Sequence, residues 1–256
     1  MSKTRKNIAP SSNGHSHRLE EYLAPAVNGN GKAKKSIDEE VLDLTLKCQP
    51  TGATPNQKKY LGTIDKNKIT IVTGPAGSGK THCAIGQAAK YLSEGRVDRI
   101  ILVRPLIACD EELGFLPGDL NAKTDPFMRP LFDELSEFFT EQQIGKMVTG
   151  RRPIIEVVPL AVMKGRTLKR AFVILDEAQD ATYKQIKMVL TRIGNTTKTV
   201  ITGDITQTDR EYYADEETPL EEVIRKLKGG QDIGFSQLTP ADIQRDPMVE
   251  LILERL

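Results

Sequence analysis

The chain has 256 residues, with 36 Lys and Arg against 35 Asp and Glu for a net charge of +1, and it is 38% hydrophobic and 5% aromatic without a single Trp. No apolar stretch approaches the ~20 residues that cross a bilayer, and the basic first residues lead into Ser, Asn and Gly rather than a secretory apolar run, so membrane contact is excluded and a cytoplasmic location is expected. Three widely spaced cysteines, Cys48, Cys83 and Cys109, suit neither a disulfide framework nor a metal knuckle, and the balanced charge argues against a protein that coats nucleic acid while leaving a local basic groove open.

Residues 1–35 hold seven Lys/Arg and two Glu, so that segment is +5 and the remaining 221 residues are −4. Rich in Ser, Asn and Gly, it buries too little apolar surface to offset chain entropy and is predicted to be a disordered basic tail. Residues 36–52 are predicted to be a short helix and linker. Ile37, Val41, Leu44 and Cys48 recur at helical spacing, and Gln49-Pro50-Thr51-Gly52 breaks the pattern. Residues 53–256 then read as one domain. Buried strands are predicted at Ile69–Thr73, Arg99–Val103, Ile154–Val158, Ala171–Leu175 and Thr199–Thr202, because these runs lack the alternation of a half-exposed sheet. Helical patterns lie between them near 80–94, 127–148, 182–193 and 219–228. A last one covers 240–255, where Ile243, Met248, Leu251 and Ile252 form a stripe. Alternating strand and helix predict an α/β fold with a mostly parallel sheet flanked by helices. The long connection 104–126 is expected to be functional.

Gly74-Pro75-Ala76-Gly77-Ser78-Gly79-Lys80-Thr81 follows a predicted strand and opens a predicted helix, the context of a Walker A loop. Glycines let backbone N–H groups converge on an anion, and the helix N-terminus adds its dipole. Lys80 is expected on the β- and γ-phosphates and the Thr81 hydroxyl on Mg²⁺; His82, next in the helix, is counted with the nucleotide-binding set. Ala171–Leu175 ends in Asp176-Glu177, a Walker B arrangement at a sheet edge where ligands bind. Two adjacent carboxylates there repel each other without a cation. Asp176 is expected to hold Mg²⁺ through water and Glu177 to act as general base. Gln179 follows the acid pair, and Gln207 follows the Gly203-Asp204 strand end. A Gln so placed can report the γ-phosphate, or be an ordinary loop residue. Asn56 and Gln57 precede the first strand, where an amide can read an adenine edge.

Taken together, GPAGSGKT, LGFLPGD, DPFMRPLFDEL, LKRAFVILDEAQD, KMVLTRIG, TKTVITGDITQTD and DIQRDPMV resemble the PhoH-like proteins, phosphate-starvation-inducible P-loop ATPases, over about residues 53–256. The resemblance implies a RecA-like P-loop NTPase related to superfamily 1 helicases. It implies ATP binding and hydrolysis with RNA or single-stranded nucleic acid as partner. By the same resemblance Gln57 matches an adenine-reading Gln, Gln207 a γ-phosphate sensor and Arg245 a C-terminal Arg suited to finger work. The chain departs from the family pattern at Cys109-Asp110-Glu111-Glu112, where a Gly-Glu pair is usual, and at Asp180, where Asn is common. Long relatives carry a further nuclease or RNA-binding domain, for which the residues ahead of this core are too few.

A loose phosphoryl-transfer transition state needs positive charge from outside the P-loop, and Arg supplies it best. Arg245 and, in LTRIG, Arg192 are the candidates. With room for only one RecA-like domain, the chain is expected to form a homo-oligomer, a hexameric ring being the expected form, with shared ATP sites. For nucleic acid, Arg104, Lys146, Arg151, Arg152, Lys164, Arg166, Lys169 and Arg170 are candidates for a backbone-tracking groove, or for a solvated charged face. Two functions stay open: an ATP-driven, helicase-like motor on nucleic acid, and a nucleotide-gated switch acting on a protein partner without unwinding.

Overall fold

Parallel strands with helices on both faces of their sheet must be apolar on both sides, and the centre of this molecule follows that requirement. In a computed structural model, which describes residues 42–105, 120–149, 153–163, 165–207 and 217–244 (the side chains of 120–127 and Val162 apart), six strands form one sheet. They are β1 (Ile69–Thr73), β2 (Arg99–Arg104), β3 (Ile155–Pro159), β4 (Ala171–Leu175), β5 (Lys198–Gly203) and β6 (Ile233–Gln237). Their order is β3-β2-β4-β5-β1-β6, and every pairing is parallel. Because side chains alternate along a strand, each strand feeds two cores. Val72, Ile100, Leu102, Phe172, Ile174 and Val200 face one cluster, and Ile71, Ile101, Val103, Val173, Leu175 and Ile201 face the other.

Among the described residues, six helices cover these faces: α1 (Pro55–Lys66), α2 (Lys80–Ser93), α3 (Leu120–Phe138), α4 (Glu141–Val148), α5 (Tyr183–Leu190) and α6 (Pro219–Leu227). The first four pack on the first cluster and the last two, with the turn Leu160–Met163, on the second. Thr54, Thr140, Thr182 and Thr218 each begin a helix with a capping box closed by Gln57, Gln143, Gln185 and Glu221, satisfying N–H groups that a helix start leaves free. Among the described residues no helix is long and apolar enough to cross a membrane.

Several expectations change. Residues 42–48 are not helical. Leu42, Leu44 and Leu46 alternate with Asp43, Thr45 and Lys47 and pack on the first core in extended form, so a period of two prevails over the apparent helical spacing. Lys47 N–H donates to the Phe138 carbonyl at 2.8 Å, and Gln143 Nε2 donates to the Asp43 and Thr45 carbonyls at 3.1 and 2.9 Å. The described residues from Leu42 onward belong to one compact unit, so the segment 42–52 packs with the domain expected to begin at residue 53. The single helix expected over 127–148 is two, divided at Phe139-Thr140 by the Thr140 cap, and α3 starts within the connection 104–126. α1 and β6 were not among the predicted elements. The C-terminal pattern begins as a short 3₁₀ turn, Pro240–Asp242, and residues 245–256 lie outside the described ones, as does the tail 1–35.

Phe172 is fully buried on β4 and meets the Tyr91 ring edge-on at 5.3 Å. Phe172→Ala is expected to cost about 3–5 kcal/mol of unfolding free energy through lost transfer and a residual cavity, read as a lower urea midpoint with an unchanged slope.

Candidate active site

β1 runs buried to Thr73, and the chain then turns through residues 74–79 before α2 starts at Lys80. Gly79, at the cap of α2, has φ of 83°, and a Cβ there would lie 2.8 Å from Gln57 Nε2. Both its conformation and its neighbour demand glycine. Ser78 Oγ donates to the Pro75 carbonyl at 2.7 Å, closing the loop on itself. Lys80 is 8% exposed, and its Nζ donates to the carbonyls of Gly74 and Pro75 at 2.6 and 2.9 Å. Burial lowers its pKa, while the nearby carboxylates of Glu177, Asp204 and Asp176 push it back up.

The Walker B acids close the other side. Thr81 Oγ1 donates to Asp176 Oδ1 at 2.7 Å, and Thr202 Oγ1, from β5 between β4 and β1, donates to the same oxygen at 2.7 Å. Arg104, at the end of β2, sets Nε 4.0 Å from Asp176 Oδ2 and Nη2 3.2 Å from Glu177 Oε1. Burial and the Glu177 charge raise the Asp176 carboxyl, and the two threonines and Arg104 work against them. Glu177 adopts a left-handed backbone with φ of 51° and ψ of 47°, a conformation that costs a side-chain-bearing residue about 1–3 kcal/mol and clusters at functional sites. Its second oxygen, Oε2, accepts from Gln179 Nε2 at 2.8 Å, and Gln179 Oε1 in turn accepts from Asp204 N at 3.0 Å. A hydroxyl and a carboxylate 2.7 Å apart, with the buried Asp204 Oδ2 lacking a hydrogen bond nearby, form a hard oxygen set. That set fits Mg²⁺, which takes one or two protein ligands and completes its shell with water and phosphate. No cluster of three or more His, Cys, Asp or Glu suited to a metal occurs among the described residues.

A cavity of about 460 Å³ beside the loop is lined by Gln57, Ala76, Gly77, Gly79, Lys80, Thr81, His82, Glu134, Glu177 and Gln244. His82 Nδ1 lies 2.9 Å from Glu134 Oε2, whose hydrogen bond raises the imidazole pKa. Gln57 stands at the inner wall, only 4% exposed, with its amide engaged at both ends. Nε2 donates to the Ser78 carbonyl at 3.0 Å, and Oε1 accepts from Ala53 N at 2.8 Å. The residue nominated as an adenine reader therefore braces the P-loop. Asp242 completes that brace. Its carboxylate accepts from Thr54 Oγ1, from Asn56 Nδ2 at 2.9 Å and from Thr239 N at 2.7 Å, tying the end of β6 to the start of α1.

The remaining nominated residues fall elsewhere. Gln207 lies on the same edge of the sheet but is exposed, with its backbone on the Asp204 carbonyl; Gln179 is the glutamine in contact with the Walker B acid. Arg245, Cys109, Arg151, Arg152 and Lys164 lie outside the described residues. Arg192 follows α5, where the Leu168 N–H donates to its carbonyl at 2.9 Å just ahead of β4. That is the N-terminal edge, a strand length or ~17 Å from the P-loop edge, so Arg192 cannot serve as a finger for its own subunit. Arg170 pairs with Asp98 at 2.6 Å and Arg166 with Glu156 at 2.6 Å, so acids offset these two groove candidates. Sequence reasoning missed Thr202, Glu134 and Asp242. Only the last had a signal, the Thr-x-x-Asp spacing of a cap at 239–242.

Burial pushes the Asp242 carboxyl up, but its hydrogen bonds from Thr54, Thr239 and Asn56 outweigh this and hold it at about 2. With its pKa depressed in the fold, Asp242 contributes stability above its ordinary value of 3.8 that is lost as pH falls towards about 2. Asp242→Ala is expected to cost about 1–3 kcal/mol at neutral pH, the usual penalty for orphaned buried donors. Urea unfolding at pH 7 and in the window between about 4 and 2 checks this: the gap between wild type and variant should narrow as the acid limit is approached.

Comparison with known proteins identifies the family and the fold. Residues 50–256 match the family described as PhoH-like protein. A PhoH-like protein of Synechocystis sp. is 44% identical over 227 residues, covering 88% of this chain and 68% of that protein. One from Bacillus subtilis is 42% identical over 78% of this chain, and Protein PhoH of Escherichia coli is 37% identical over 77% of it. The chain spans 62% and 55% of the lengths of these last two. Among solved structures, the large terminase of a thermophilic bacteriophage is similar with a TM-score of 0.52 at 12% identity, over 79% of this chain and 50% of that one. Profile, relatives and architecture agree, and the chain belongs to the PhoH-like family, with the RecA-like P-loop fold of nucleotide hydrolases.

Proposed function

We propose that this protein is a Mg²⁺-dependent ATPase that acts on RNA or single-stranded nucleic acid as a helicase-like motor. The observation that carries the ATPase part is the 2.7 Å contact between Thr81 of Walker A and Asp176 of Walker B, with Lys80 and Glu177 lining the same cavity. The loop amides and Lys80 hold the phosphates. Thr81 and Asp176 would hold Mg²⁺, which would supply charge neutralisation on the phosphoryl oxygens. Glu177 takes the proton of the attacking water. The polynucleotide part is supported by the family's resemblance to superfamily 1 helicases and by Arg104, the nominated groove residue at the nucleotide edge of the sheet. One RecA-like domain per chain supports a homo-oligomer, a hexameric ring, in which a neighbour's Arg245 or Arg192 completes the transition-state charge.

ATP turnover with and without single-stranded RNA and DNA tests the reading. Glu177→Gln is expected to bind ATP yet turn it over at least ~10²-fold more slowly, the usual size of a general-base contribution, and Lys80→Ala to lose ATP binding. Stimulation by a polynucleotide supports the motor, whereas indifference to both would leave a nucleotide-gated switch acting on a protein partner. Light scattering checks the assembly. The expected mass is a multiple of the 28.4 kDa chain, and a monomer with undiminished turnover would remove the shared site.

A further inference from the structure

We propose that Arg104 is a positioning residue that restrains Glu177, so that ATP turnover runs below what the site can deliver until the Arg104–Glu177 pair opens. This rests on the reading of Glu177 as the general base. A general base needs a lone pair aimed at the attacking water within hydrogen-bond reach, and each Glu177 oxygen already accepts from a protein donor, which takes one of its two lone pairs and fixes where the carboxylate points. Arg104 Nη2 holds Oε1 at 3.2 Å, and Gln179 Nε2 holds Oε2 at 2.8 Å. The two donors come from different places: Arg104 ends β2, while Gln179 sits in the turn after β4 and is itself fixed by Asp204 N at the end of β5. Three strand ends thus converge on one carboxylate.

The two donors differ in how easily they let go. Gln179 is 7% exposed and its other amide end is engaged with backbone, so it moves only if β5 moves. Arg104 and Glu177 have side chains 22% and 35% exposed, and the chain leaves the sheet directly after Arg104. Arg104 is therefore the mobile half of the clamp. Its Nε also stands 4.0 Å from Asp176 Oδ2, so the guanidinium is drawn to both Walker B acids and holds Glu177 beside Asp176. A group that draws Arg104 away frees Oε1 without disturbing Thr81, Thr202 or the P-loop.

Steady-state turnover of Mg-ATP by wild type, Arg104→Gln, Arg104→Lys, Glu177→Gln and Arg104→Gln/Glu177→Gln tests the clamp, with ATP affinity measured separately by a fluorescent ATP analogue. Because the pair is partly exposed, the restraint is modest, and Arg104→Gln is expected to raise kcat about two- to fivefold with KM and analogue affinity within twofold. Arg104→Lys keeps the charge on a shorter reach and should fall between Arg104→Gln and wild type. The double variant should be as slow as Glu177→Gln, because the gain passes through that carboxylate. An unchanged or lower kcat in Arg104→Gln, with Glu177→Gln inactive, overturns the clamp and leaves the general-base reading standing. Near-normal turnover in Glu177→Gln instead removes the general base itself. Should Arg104→Gln lose its cooperative thermal transition, Arg104→Lys carries the same test, a kcat at or below wild type counting against the clamp.

Discussion

A carboxylate buried at the C-terminal end of a central parallel strand sets the terms for everything around it. Asp176 is 3% exposed, and a charge in such a position is costly unless hydrogen bonds and cations meet it. Here the partners come from three directions. Thr81 reaches it from the first turn of α2, Thr202 from β5, and Arg104 approaches from β2. Satisfying this one group therefore fixes how the P-loop helix sits against the sheet and which strand ends stand beside it. The same arrangement gathers the oxygens a hard cation would use, so the structural need and the chemical capacity have one origin.

The P-loop is held from outside as well. Gln57 spans from the α1 start to the Ser78 carbonyl, and Asp242 locks that start to the chain beyond β6. The other end of α1 is pinned too: Lys198 Nζ donates to the carbonyls of Ile64 and Asn67 at 2.7 and 2.6 Å, the cation-at-C-terminus arrangement that a helix dipole favours. A loop braced by a helix anchored at both ends keeps its amides aimed at one spot, which is what preorganised phosphate binding requires. Glu177 sits differently. Its left-handed backbone and its two side-chain donors hold it by contacts that can be exchanged, which suits a group that must act at one point of a cycle.

Much of this was legible in the residues. The five runs read as strands are strands, because burial on both faces leaves unbroken apolar segments, and the Walker A and B motifs are local, each needing only a strand end and the turn after it. The Thr-x-x-Gln and Thr-x-x-Glu boxes also signalled helix starts, and reading them would have revealed α1. β6 was invisible for a physical reason. At the edge of the sheet, Ile233-Gly234-Phe235-Ser236-Gln237 has only a partly buried pattern and no run of branched residues. Of the helix expected over 36–48, the described part, 42–48, is extended, because two periods compete there and contact with α3 and α4 decided between them.

The fold class and the acid, lysine and hydroxyl at the heart of the site are written in short contiguous segments and are therefore legible residue by residue. Which distant side chains complete them depends on how the chain folds back on itself. Thr202 and Arg104 are ordinary strand residues, and Asp242 lies 185 positions beyond Gln57, whose amide Nε2 meets its carbonyl at 3.4 Å. Arg192 is the second finger candidate in the sequence, yet its helix carries it to the far edge of the sheet. Long-range pairing depends on strand order and on the direction each helix runs, and no local pattern encodes either.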